Sequence, residues 1–502
     1  MVVQEENTRT EARVESRASD LKHRTLRGGA VTVVSQAIRF AIYTASTVVM
    51  ARLLSPADFG LVGMVTAVTG FLAVFKDAGL SVATIQRDVI TREQVSTLFW
   101  VNTAVGLVLA AVCLVAAPLL ASFYREPKLL SIATVLAMPF VLSGLGAQHQ
   151  ALLRRELRFK ALAVVDIVGV VAGFAAGVTV ALKGLGYWAA VSMPVGTALA
   201  ETICLWVLMP WRPGLPKRGC GVRAMLRFGG LMSSVSALNY LFRNVDKVLI
   251  GRYWGAAPLG LYQKAYGLLM LPISQVNAPM SGVAVTALSR IQNEPERMCR
   301  YFLGGYEIAA SMIMPIICAM TIFADEVVIF MLGPQWSPAV EVFRLLAPAT
   351  LIGALLNPFG WLFISTGRPD RQFKLACVWT TLIIFSFALG LPFGARGVAL
   401  AYSAMSCVLA FPVLWYAIQG TLVRVPDILG SIWRPVLAAA AVTPFAWLLK
   451  ASLAGSLPIG VRAMLGCAFV FAGYAFLLLV VFGRWRIYSD LIRQTIWGQQ
   501  QN

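Results

Sequence analysis

Apolar residues run through this chain in blocks of roughly 18–25, joined by short polar segments. A helix needs about 20 such residues to cross the hydrocarbon core of a bilayer. The blocks predict fourteen transmembrane helices, near 29–51, 58–78, 96–119, 128–147, 161–182, 185–209, 228–251, 258–288, 302–323, 338–364, 374–392, 395–418, 433–450 and 459–482. Two blocks carry polar residues at helical spacing. In the first, Gln36, Arg39 and Tyr43 fall at i, i+3 and i+7, with Ser35 and Ser46 on the same face. In the seventh, Ser236, Asn239, Tyr240, Arg243 and Lys247 form one stripe, with Asp246 beside it and one turn from Arg243.

The pattern echoes itself at an offset of 200 residues. Arg27-Gly-Gly-Ala30 is answered by Arg227-Phe-Gly-Gly230, Arg52 by Arg252, and Gly60-Leu61 by Gly260-Leu261. Spans 1–6 (28–210) and 7–12 (228–419) therefore read as two six-helix lobes related by a pseudo-twofold axis. Six is even, so both lobes enter the membrane from one face and the axis lies along the membrane normal. The repeat places 39 on 239, 43 on 243 and 47 on 247, and predicts that spans 1 and 7 face each other across a central seam. The Pro-, Gly- and charge-rich stretch 211–227 reads as the linker between lobes. Spans 13 and 14 (420–485) stand outside the repeat, and 1–27 and 486–502 are polar tails.

Composition changes the picture only by hardening it. Of 502 residues, 58% are hydrophobic and 13% charged, too apolar for a soluble chain of this size. The net charge of +19 suggests a nucleic-acid partner until its distribution is read. Basic residues crowd alternate joints: Lys22, Arg24 and Arg27; Arg154, Arg155, Arg158 and Lys160; Arg212, Lys217, Arg218 and Arg223; Arg368, Arg371 and Lys374; Arg484, Arg486 and Arg493. That alternation is a topology signal with both termini in the cytosol and some attraction for anionic membrane lipids, and it argues against nucleic acid. The eight cysteines lack CxxC spacing and mostly lie in spans, as small apolar packing residues do. Two histidines make a His-based metal site a poor expectation. No joint is long enough for a folded extramembrane domain, which speaks against a membrane-embedded glycosyltransferase or polymerase.

Ionisable groups inside spans are costly and are functional candidates by default. The cations Arg39, Arg243, Lys247 and Lys264, the last between Tyr262 and Tyr266, outnumber nearby acids and call for an anion. Arginine's fork suits phosphate, and Tyr43, Tyr240, Tyr262 and Tyr266 suit sugar rings. The implied substrate is large, anionic and amphiphilic, bound by Arg39, Tyr43, Asn239, Tyr240, Arg243, Lys247 and Lys264. Arg243, Asp246 and Lys247 also admit a structural reading, as an ion-pair cluster. Asp246 is the leading candidate for ion coupling. Asp166, Glu201 and Glu307 are isolated acids expected to pack against polar partners, and Glu341 and Arg344, one turn apart, are expected to pair. Lys76 ends span 2, where its ammonium can snorkel to the interface. Pro139, Pro194, Pro272, Pro279, Pro315, Pro348 and Pro358 interrupt spans and mark possible hinges. No GxxxxGK[ST] segment is present, so direct ATP drive is not expected, and no cofactor is implied.

Several stretches resemble a known family. Ala51-Arg-Leu-Leu-Ser-Pro-Ala-Asp-Phe-Gly-Leu61 and Asp77-Ala-Gly-Leu-Ser-Val-Ala-Thr-Ile-Gln-Arg87 look like the segments around span 2 of bacterial polysaccharide exporters. Asn244-Val-Asp-Lys-Val-Leu-Ile-Gly-Arg252, then Leu259-Gly-Leu-Tyr262 and Ala265-Tyr266, is similar to that family's most recognisable segment. Ala287-Leu-Ser-Arg-Ile-Gln292, Gly333-Pro-Gln-Trp336 and Thr366-Gly-Arg368 extend the match over about residues 25–485. The family is the polysaccharide transport (PST) branch of the multidrug/oligosaccharidyl-lipid/polysaccharide (MOP) exporter superfamily, of the colanic acid, teichuronic acid and succinoglycan type. The resemblance implies an all-α, V-shaped, alternating-access bundle in the bacterial inner membrane, without enzymatic activity. It implies a flippase for undecaprenyl-pyrophosphate-linked glycan, with the cationic lining of its first and seventh spans matched by Arg39, Arg243 and Lys247. Contacts of the cytosolic loops with a polysaccharide polymerase or glycosyltransferases are left open. The competing readings are a drug or organic-cation antiporter of the same superfamily, a flippase for the peptidoglycan precursor, and a membrane transferase or polymerase.

Overall fold

The computed structural model describes residues 34–76, 84, 90–217, 236–237, 240–241 and 243–485. These are helical throughout, with no strand among them. The chain divides into two compact units between Ala257 and Pro258.

The first unit contains α1 (34–53), α2 (Pro56–Ala73), α3 (Arg92–Tyr124), α4 (Lys128–Leu136), α5 (Met138–Arg155), α6 (Phe159–Leu182), α7 (Tyr187–Leu208) and α8 (Val245–Trp254). α9 (Ala256–Arg290) crosses the boundary between the units. The second unit adds α10 (Pro295–Ile322), α11 (Ala324–Leu332), α12 (Ala339–Leu356), α13 (Phe359–Ser365), α14 (Pro369–Gly390), α15 (Gly394–Ile418), α16 (Val425–Leu453) and α17 (Ile459–Phe476). Among the described residues, eleven stretches are long and apolar enough to cross a membrane, and three of them, Lys128–Arg155, Ala339–Ser365 and Pro369–Ile418, each cover two helices. The fold is an all-α, multi-pass membrane bundle.

Several helices outrun the hydrophobic blocks that predict them. α3 begins at Arg92 rather than near 96 because Thr91 and Gln94 form a capping box. The Thr91 hydroxyl accepts from the Gln94 amide at 3.2 Å, and the Gln94 side chain accepts from the Thr91 amide at 3.1 Å. Apolar content sets how much helix lies in oil, whereas caps set where the helix stops. On α3, Val108, Val112, Val115 and Leu119 stay 45–70% exposed at intervals of three or four residues, a stripe suited to lipid.

Two expected single spans are each split. Span 128–147 is divided between α4 and α5 at Ala137, with Pro139 in the first turn of α5. Span 338–364 is divided between α12 and α13, with Pro358 at the α13 N-cap. Proline lacks the amide that would continue the ladder, and it tolerates a first turn. Pro194, Pro272, Pro279, Pro315 and Pro348 lie inside continuous helices instead.

In the first unit, α6 and α7 pack closely through a glycine stripe. Gly169, Gly173 and Gly177 lie four residues apart and are all buried on α6. A methyl group at Gly173 would collide with the Thr197 hydroxyl, and one at Gly169 with the Glu201 side chain. Small residues let helix backbones approach in a medium that offers no hydrophobic drive between them. In the second unit, a core around Phe302, Tyr306, Phe359, Trp361 and Leu362 joins α10 to α13.

Residues 211–217, where the sequence predicts the start of a linker, are fastened to α3. The Trp100 indole N–H donates to the Gly214 carbonyl at 2.9 Å, and the Gly214 amide donates to Ser96 Oγ at 3.0 Å. The Lys217 amide donates to Thr97 Oγ1 at 3.1 Å, while its ammonium pairs with Glu93. His149, fully buried on α5, stacks on Trp206 at 4.6 Å with Nε2 3.3 Å from the Trp211 carbonyl.

Two pairings differ from expectation. Arg344 pairs with Asp325 rather than with Glu341, and Glu341 pairs with Arg396 at 2.9 Å. One-turn spacing permits a bond within a helix, but a partner on a neighbouring element wins where packing delivers it. Lys450 completes the first set, 2.8 Å from Asp325 and 3.2 Å from Glu326. Glu307 finds its polar partner in Arg484, at 3.0 Å.

Candidate functional site

The predicted stripe of the seventh span is not one continuous helix. Helical residues 240–241 are followed by a turn at Arg243 and Asn244, and α8 starts only at Val245. The expected helix over 228–251 is thus corrected to a broken one. The cause is visible in Asn244, at the N-cap of α8 with φ −128° and ψ 5°. Its side-chain amide donates to the Tyr240 carbonyl at 2.8 Å, a local bond that competes with the regular ladder. Its Oδ1 accepts from the Lys247 ammonium at 2.7 Å. Asn244 is the organising residue that pattern reading missed. The signal was there: asparagine favours helix starts over helix interiors.

The break separates the cations. Arg243 lies on the turn with an exposed side chain, and Lys247 is half-buried one turn into α8. Among the described residues, neither lies within ion-pair distance of a carboxylate. Asp246 is buried in the first turn of α8, where a negative charge complements the helix dipole. Asn239 lies outside the described residues.

Tyr240 is half-buried, and its hydroxyl donates to the Thr66 carbonyl of α2 at 2.9 Å. The ring sits where a side chain at Gly70 would collide with it. Gly70 therefore lets α2 receive the residue that precedes the break.

On α1, Arg39 and Tyr43 are exposed, one turn apart. Ser46 and Thr47 hydroxyls both donate to the Tyr43 carbonyl at 2.9 Å. Arg39 donates to Asp166 Oδ2 of α6 at 2.7 Å. Asp166 is one turn before Gly169, against which Glu201 of α7 packs. Glu201 is in electrostatic reach of Lys76, Asp166 and Arg39. The glycine stripe thus gathers two acids and two cations that look isolated in sequence. Lys264 lies on α9 in the second unit, half-buried between Tyr262 and Tyr266, whose rings lie parallel with centroids 6.5 Å apart.

The first unit presents guanidinium and ammonium groups at a helix break and on α1, beside tyrosines, within an apolar bundle. Guanidinium groups are chemically suited to an anion, through charge and bidentate hydrogen bonds.

The chain is 27% identical to the Teichuronic acid biosynthesis protein TuaB of Bacillus subtilis (strain 168), covering 74% of this chain and 78% of that protein. It is 24% identical to the Lipopolysaccharide biosynthesis protein WzxC of Escherichia coli (strain K12), over 83% and 85%. It is 27% identical to the Succinoglycan biosynthesis transport protein ExoT of Rhizobium meliloti (strain 1021), over 82% and 80%. Among solved structures, the fold is shared with the Lipid II flippase MurJ in its inward closed conformation (TM-score 0.71, 12% identity, 93% of this chain and all of that one). It is also shared with an inward-facing multidrug resistance MATE family transporter of the MOP superfamily (TM-score 0.62, 16% identity, 77% and 97%). Residues 49–341 match the family described as Polysaccharide biosynthesis protein, and the chain belongs to that family.

Proposed function

We propose that this protein is a flippase carrying undecaprenyl-pyrophosphate-linked oligosaccharide from the cytosolic to the outer leaflet of the bacterial inner membrane. The observation that carries this reading is Arg243, exposed on a helix break beside Lys247, with no carboxylate partner among the described residues. An arginine at the centre of a lipid-facing helix costs about 2.5–3.5 kcal/mol. An unneutralised one is retained where it meets water or an anion. Interrupted helices line substrate sites in other transporter folds, because irregular backbone survives in a membrane where it borders a cavity.

Arg39, Arg243 and Lys247 bind the pyrophosphate in this reading, and Tyr43 meets the sugar head. Asp246, buried beside Lys247, is the acid we assign to ion coupling. The polyprenyl tail stays in the bilayer, so the protein need only shelter the polar head. Both termini are cytosolic, as the alternation of basic joints requires.

Deleting the gene tests the reading. Lipid-linked oligosaccharide should accumulate facing the cytosol while polymer export stops. Unchanged export with no accumulated intermediate would reject it, and loss of chain elongation in isolated membranes would point to a transferase or polymerase.

A further inference from the structure

Arg39 poses a difficulty for any account in which it binds phosphate, because Asp166 already holds it. The pair closes at 2.7 Å, with the arginine side chain 46% exposed and the aspartate 30%. Close by stand Glu201 and Lys76. Among the described residues, this group thus sets two acids, Asp166 and Glu201, beside two cations, Arg39 and Lys76. Arg243 and Lys247, by contrast, face no carboxylate among the described residues.

We infer that Asp166 is an internal counter-anion. It occupies Arg39 while no cargo is bound, and it is exchanged for a phosphate oxygen when the pyrophosphate head enters. This rests on the reading of Arg39 as a cargo ligand and adds a positioning residue that acts through it. Geometry supports the exchange. A carboxylate offers the guanidinium the same kind of planar, two-oxygen face that a phosphate does. The pair is partly exposed, so it is weak enough to open. A second acid stands by, since Glu201 of α7 packs at Gly169, one turn beyond Asp166.

The consequence is selectivity. A tethered carboxylate competes at an effective concentration of the order of millimolar or above. Free anions that touch Arg39 alone lose to it. A ligand with further anchors beyond Arg39 displaces it. On release, Asp166 recaptures Arg39 and helps the head to leave.

Binding to the purified full-length protein in nanodiscs tests this, with undecaprenyl pyrophosphate as the lipid probe and inorganic pyrophosphate as the free-anion probe. Asp166→Asn should raise affinity for both by about tenfold. The gain should be larger for inorganic pyrophosphate, which lacks other anchors. Asp166→Glu should restore wild-type affinity. In an Arg39→Ala background Asp166→Asn should add nothing, since the coupling is between those two side chains. Transport by Asp166→Asn should saturate at lower cargo concentration with a lower maximal rate. A merely structural role would lower affinity and rate together, and that result overturns the inference. Arg39→Ala weakening lipid binding while Asp166→Asn leaves it unchanged also overturns it, with the flippase reading intact. Arg39→Ala leaving lipid binding unchanged overturns both the inference and the assignment of Arg39 as a cargo ligand.

Discussion

Arg243 and Arg39 are the same residue type in opposite circumstances. Arg39 has an acid at 2.7 Å, whereas Arg243 has no carboxylate within ion-pair distance among the described residues. Arg243→Ala should therefore abolish polymer export while leaving normal amounts of protein in the membrane, measured by secreted polysaccharide and by membrane blots. Arg243→Lys should restore part of the activity, because an ammonium supplies charge without the bidentate fork. Full export by Arg243→Ala would remove this residue from the site. Sequence picked out candidate cations but not their partners. Arg39, Asp166 and Glu201 sit on three helices far apart in the chain, and their meeting depends on tertiary packing, with the α6–α7 glycine stripe setting Glu201 against the helix of Asp166. Glu341 and Arg344 illustrate the opposite error, since proximity in sequence suggested a bond that Asp325 and Arg396 take instead.

At the scale of elements, the break before α8 is the feature with most bearing on transport. Asn244 links a carbonyl before it, at Tyr240, to the Lys247 ammonium after it. Asn244→Ala removes both bonds. Each hydrogen bond contributes about 0.5–1.5 kcal/mol net, so the loss of stability should be roughly 1–3 kcal/mol. Export should fall by more than that loss explains, because Lys247 also loses its orientation. Thermal melting and an export assay on the same preparation would show it. Hydropathy could not reveal the break, because Arg243, Asn244, Asp246 and Lys247 fall at a spacing that also reads as one polar stripe on a continuous span. A second element makes a pH prediction. Burial pushes the Asp325 carboxyl up, but the hydrogen bond from Lys450, its charge and that of Arg344 outweigh this and hold it below the ordinary carboxylate value. A depressed acid stabilises the folded state above its unfolded pKa, about 4, and that contribution is lost as pH falls through its lower folded value. Melting temperature should drop on acidification below about pH 4, and Asp325→Asn should flatten that part of the curve. An unchanged slope in the variant would assign the acid sensitivity elsewhere.

For the whole molecule, the hydrophobic blocks carried the fold class, because a bilayer leaves helices few alternatives. The alternating basic joints are the ground on which we propose an orientation with both termini in the cytosol. Alkaline phosphatase fused to the C-terminus should be inactive, and a fluorescent protein fused there should glow. Active phosphatase would mean an odd number of crossings. The central claim is that this chain moves a lipid-linked glycan from one leaflet to the other. The most direct measurement reconstitutes the purified protein in liposomes with undecaprenyl-pyrophosphate-linked oligosaccharide and follows arrival of the sugar at the opposite leaflet with a membrane-impermeant glycosidase. Wild-type protein should speed that arrival far above protein-free liposomes, whereas Arg243→Ala should not. Equal rates in wild-type and protein-free liposomes would contradict the account.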